Sequence, residues 1–87
     1  MARKKKPTAK SIRQGQTIYL VYRDWQTPEG MPVIKPIFVA SDKDPFPPPG
    51  MIATAFPRWF VAHRLDEGEN RNCYYSRRRA STAARAL

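Results

Sequence analysis

His63 and Cys73 are the only residues of this chain that could form a nucleophile–base pair, since it holds one histidine and one cysteine. A thiolate that attacks an acyl carbon needs a base in hydrogen-bond reach, a group that orients the base, and donors for the oxyanion. With residues 58–65 and 72–75 read as a hairpin, Leu65 opposite Asn72, His63 faces Tyr74 and Cys73 faces Arg64 on the other side. The two groups then point apart, and no orienting group accompanies them. The reading is a polar-face histidine, a small buried thiol and no catalysis. The acids Asp42 and Asp44, and Asp66, Glu67 and Glu69, do not follow a metal-ligand spacing, so no metal or other cofactor is expected. They read as two solvated loops. No Gly-rich phosphate loop, zinc finger or RNP-type aromatic motif is present.

The basic residues are arranged differently. Residues 1–13 hold six cations and no acid, and residues 71–87 hold five cations and no acid. Residues 14–70 hold five cations and seven acids, so the net charge of +9 comes from the two ends. Two basic blocks around a near-neutral centre point to an anionic partner. Arg77, Arg78 and Arg79 follow Tyr74, Tyr75 and Ser76, at the place where a helix should begin. Cations at the positive end of a helix dipole cost about a few tenths of a kcal/mol each. A phosphate reverses that sign, because the helix N-terminus and the arginines both attract it. The candidate nucleic-acid contacts are therefore Arg77, Arg78, Arg79 and Arg85, with Lys4, Lys5 and Lys6 from the N-terminal block. Tyr74 and Tyr75 are the candidate stacking groups. The expected partner is DNA or RNA, held by its phosphates. The alternative is a protein-binding modulator that docks on an acidic protein.

The elements that must position these residues fit one small domain, since 87 residues leave no room for a second core. All ten aromatic residues lie between Tyr19 and Tyr75, which places the core within residues 16–80. A domain of that size is marginal alone, and a homodimer is compatible with it. A lone cysteine excludes an intramolecular disulfide and suits a reducing cytoplasm. No apolar run reaches the length of a membrane span, so no membrane association is expected. Arg3-Lys4-Lys5-Lys6 would pass as a nuclear-localisation tetrapeptide in a eukaryote.

Residues 1–13 combine like charges with a breaker, Pro7, and read as a disordered arm. Residues 14–87 form the domain. Residues 17–23 are β-branched and aromatic on both faces, which predicts a strand covered on both sides. Thr27-Pro28-Glu29-Gly30 predicts a type I turn, and residues 33–40 the second strand of a hairpin. Pro36 cannot donate to a ladder, which places that strand at an edge or in a bulge. Residues 41–50 form a loop stiffened by Pro47, Pro48 and Pro49. Residues 51–56 fit a short strand or a helical turn. Residues 58–65 fit either a strand or a helix begun by Pro57; alternation of Trp59, Val61, His63 and Leu65 favours the strand and a second hairpin. Ser76 reads as the N-cap of a helix over 77–87, with Ala80, Ala83, Ala84 and Leu87 on its inner stripe. The predicted class is α+β: a small antiparallel sheet of two hairpins, barrel-like if closed, with one C-terminal helix.

The ending Tyr74-Tyr75-Ser76-Arg77-Arg78-Arg79-Ala80 resembles the C-termini of small uncharacterised proteins encoded by phages and prophages of enterobacteria. The resemblance covers this local device only. It implies binding of nucleic acid or of a host protein, and assigns no role to any single residue.

Overall fold

The computed structural model describes residues 6–50 and 54–86. Strand β1, Thr17–Asp24, and strand β2, Met31–Ala40, form the expected antiparallel hairpin, with Ile18 opposite Ile37 and Val21 opposite Ile34. The turn follows its chemistry. The Gly30 amide donates to the Thr27 carbonyl at 3.3 Å, and Gly30 takes φ +59°, which a side chain would strain. A Cβ there would also lie 2.5 Å from the Trp25 ring.

The sheet is mixed and open, in the order β3-β2-β1-β4, where β3 is Thr54–Pro57 and β4 is Cys73–Tyr74. β3 runs parallel to β2, and β4 runs antiparallel to β1. This corrects the expectation of a two-hairpin sheet with barrel-like closure. β3 and β4 end the sheet on opposite sides and do not pair with each other.

Pro36 sits in a strand with a neighbour on each side, rather than at an edge. Its tolerance follows from the hydrogen-bond phase. The Val39 amide donates to the Gln16 carbonyl, and its carbonyl accepts from Gly15, so odd-numbered residues of β2 bond toward β1. Even-numbered residues therefore turn their amides toward β3. Pairing with β3 begins at Ile37, one residue past the proline, so among the described residues the missing N–H breaks no ladder bond.

Residues 58–66 are helix, not strand: α1 spans Arg58–Asp66. Pro57 ends β3 and caps the helix with φ −61° and ψ 150°. Its ring presets the turn into the helix, and the Asp42 carboxylate accepts from the Trp59 amide at 3.0 Å. That acid thus serves an exposed helix end, beyond solvating its loop. Val61 and Leu65, four apart, turn the same side of α1 into the core. Gly68, at φ +113°, ends the turn behind α1, and a short 3-10 segment, Glu69–Asn72, leads into β4.

Helix α2, Arg77–Arg85, starts as expected. Ser76 caps it, its Oγ accepting from the Arg79 amide at 3.2 Å. Ala80 is fully buried, while Ala83 and Ala84 are half-buried beside it, and α2 rests against β1, β2 and β4. Leu87, the last member of the expected stripe, lies outside the described residues.

Strand register separates two apolar faces. Ile18, Ile37, Val39 and Cys73 share one face and pack with Val61 and Leu65 of α1 and with Ile12. Val21, Phe38 and Ala40 are buried on the other face, as is Ala80 of α2. Each fully buried aliphatic side chain contributes roughly 1.5–3 kcal/mol, which is what a domain this small depends on.

The reading of residues 1–13 as a disordered arm does not hold for residues 6–13. Pro7 and Ile12 are fully buried, and Arg58 donates to the carbonyls of Ile12 at 3.1 Å and Ala9 at 3.0 Å. The one strongly apolar residue of the segment, with a guanidinium to hold its backbone, offsets the repulsion among its cations. Residues 1–5 lie outside the described residues.

Candidate nucleic-acid interface

Lys6 is the residue that joins the two basic blocks. Its ammonium donates to the Arg71 carbonyl at 2.7 Å and lies 5.2 Å from the centroid of the Tyr74 ring. A cation over a tyrosine face is held by the ring quadrupole, and among the described residues the ammonium makes one hydrogen bond of the three it can donate. Tyr74 is positioned by β4, where it pairs with Tyr19 of β1. Arg77 follows three residues on, within about 10 Å of extended chain. Lys6 of the N-terminal block is thus seated on β4, the strand that leads into α2 and its first-turn arginines.

Arg77, Arg78 and Arg79 form the first turn of α2, and all three are exposed. Arg78 and Arg85 are seven residues apart, so they share one helix stripe at a spacing of about 10 Å. Arg85, in the last turn, is where the helix dipole favours a cation. The first-turn arginines stand where it opposes one. Among the described residues, the ion pairs are His63 with Glu67 and Arg64 with Glu69, both local to α1 and the turn behind it. None involves Lys6, Arg71, Arg77, Arg78, Arg79 or Arg85. Lys4 and Lys5 lie outside the described residues.

The two tyrosines take different parts. Tyr74 is half-buried under Lys6. Tyr75 turns to the opposite face of the sheet, packs against the core and pairs its hydroxyl with that of Ser11. Lys6, Thr8, Ser11 and Tyr75 line a shallow concavity there. Tyr75 therefore anchors the N-terminal segment, its half-buried ring packed against the core.

His63 and Cys73 do not meet. The hairpin that would have set them opposite Tyr74 and Arg64 is replaced by α1, on which His63 lies away from Val61 and Leu65 and pairs with Glu67. Cys73 is buried in the core, where loss of solvent and the nearby Glu69 carboxylate push its thiol up to about 11. Among the described residues no three His, Cys, Asp or Glu side chains gather as metal ligands, and no helix is long and apolar enough to cross a membrane.

The contribution of Arg71 and the seat of Lys6 on Tyr74 were not foreseen from the sequence. Nothing local signals a contact between residues 65 apart. No protein-family model matches the chain, and no curated protein or solved structure matches it.

Proposed function

We propose that this protein binds nucleic acid without transforming it, through phosphate contacts from Arg77, Arg78, Arg79 and Lys6, with Arg85 extending the contact along α2. One observation carries the reading: three acid-free arginines occupy the end of a helix that disfavours them, beside a lysine folded onto the adjoining strand. A phosphate at that place is attracted by the helix end and by the cations together, and so relieves the conflict. Tyr74 is the stacking candidate, its ring opened to a base when Lys6 moves onto a phosphate. Titration of fluorescent single- and double-stranded DNA and RNA at several salt concentrations tests this. Affinity should fall linearly on a logarithmic salt axis, with a slope near the number of phosphates engaged. Absence of binding to every one of these at low ionic strength overturns it.

A second reading rests on the exposed aromatic residues Trp25, Phe46 and Trp59. Large apolar groups in water mark docking surfaces, and an acidic protein would suit the net charge. Capture from a lysate before and after nuclease treatment separates the two, since only a protein partner survives the nuclease.

A further inference from the structure

The face of the sheet beneath α1 is not fully packed. Between β1, β2, β3 and α1 lies a pocket of about 180 Å³. Its walls are apolar, formed by Ile18, Leu20, Ile37, Phe56, Phe60 and Leu65, and the buried Cys73 also lines it. Space of this size and lining holds one aromatic ring or an alkyl chain of about six carbons; an apolar cavity of roughly 150 Å³ takes up benzene. Well-packed cores leave few voids of this kind.

The polar groups around the pocket are Lys35, Arg64 and Glu69. Arg64 and Glu69 are paired with each other, and that pairing raises the guanidinium above its ordinary value. Lys35 forms no ion pair among the described residues. Its place is unusual: register puts it opposite Leu20, on the core-facing side of β2, in line with Ile37 and Val39. A strand position on that side calls for an apolar residue. The groups lining the pocket therefore sum to one positive charge, carried by a half-buried lysine at the edge of an apolar chamber.

We propose that this pocket binds a small monocarboxylate, its single ring or short alkyl chain inserted among Ile18, Ile37 and Leu65 and its carboxylate paired with Lys35. The site is separate from the nucleic-acid surface and does not depend on it. Small-molecule sites commonly combine apolar walls with a few polar groups that fix orientation, as here.

The test is an amide-resolved NMR titration of the full chain, without nucleic acid, using hexanoate, hexanol and hexylammonium. Hexanoate should shift the amides of residues lining the pocket. Hexanol should bind about tenfold more weakly and hexylammonium more weakly still. Lys35→Met should bring hexanoate and hexanol to within about twofold of each other. Leu20→Phe, which adds bulk to the pocket wall, should abolish binding of all three; if it does not fold, the Lys35→Met comparison decides. Failure of all three to shift these amides overturns the proposal. So does equal affinity for the three, a hexanoate preference that Lys35→Met leaves intact, or undiminished hexanoate binding in a folded Leu20→Phe protein.

Discussion

The ammonium of Lys6 lies 5.2 Å from the centroid of the Tyr74 ring, joining residues from opposite ends of the chain. The contact places the sixth residue beside the strand that feeds α2. If the surface binds phosphate as proposed, Lys6→Met should weaken binding evenly across sequences and reduce the salt slope by about one. Fluorescence anisotropy at several ionic strengths reads both quantities. An unchanged slope would remove Lys6 from the interface.

Ser76 and Arg79 stand at the N-cap and the third helical position of α2. Glu at that third position completes a capping box with a serine N-cap. Arg79→Glu should therefore stabilise the fold by about 0.5–1 kcal/mol and weaken nucleic-acid binding at least tenfold. Urea denaturation and titration of one sample give both values. The opposed signs are what distinguish a residue kept for a partner from one kept for the fold.

Ser76→Ala removes the side-chain acceptor for the Arg79 amide. The expected loss is about 1 kcal/mol of stability. It should appear as a lower urea midpoint with the same denaturant slope, since the folded and unfolded surfaces hardly change.

Arg58 holds the backbone of the N-terminal segment through the carbonyls of Ile12 and Ala9. Arg58→Met keeps most of the side-chain bulk and loses both donors. It should cost roughly 1.5–3 kcal/mol and raise the hydrogen-exchange rate of the Ser11 and Ile12 amides, which bond within the same turn. Exchange monitored by NMR separates local release of this segment from global unfolding.

Cys73 should make stability depend on pH on the alkaline side. Its thiol is raised to about 11, against about 8.5 for a free thiol. Above the lower value the folded chain binds more protons than the unfolded one, so stability falls as pH rises from about 8.5 to 11. Below that window the thiol is protonated in both states and contributes no slope. Other groups titrate in the same range, and the difference between wild type and Cys73→Ala isolates the thiol. The native protein should also resist alkylation at pH 8, where the thiolate is scarce and buried.

The first hairpin, the capped C-terminal helix and the α+β class were legible because each rests on local signals. β1 is rich in β-branched and aromatic residues, Thr27 to Gly30 encode a turn, and Ser76 precedes a run of helix formers. Residues 58–65 were not legible, because Val61 and Leu65 satisfy both a period of two and a spacing of four. The helix prevails through its start, where Pro57 and Asp42 act together, and Asp42 is 17 residues from the amide it caps. Parallel pairing of β3 with β2 also depends on where a long loop returns, which no short window encodes. At the candidate interface, the first-turn arginines could be read from Ser76. The seat of Lys6 could not, since it follows from Ile12, a single apolar residue in a basic run. Adjacency to Tyr74 suggested a shared role for Tyr75, whereas the extended chain turns it the other way, toward the core and Ser11.

The burial of Ile12 and Pro7 has a consequence for how the charge of this chain can be dissected. Deleting the first thirteen residues would strip out cations and core together, so loss of binding in a shortened chain would report unfolding as readily as lost electrostatics. Point neutralisation separates the two, because Lys6, Lys10 and Arg13 are exposed while Ile12 between them is not. Each cation of the segment can thus be neutralised without touching the core, whereas the segment as a whole is structurally indispensable.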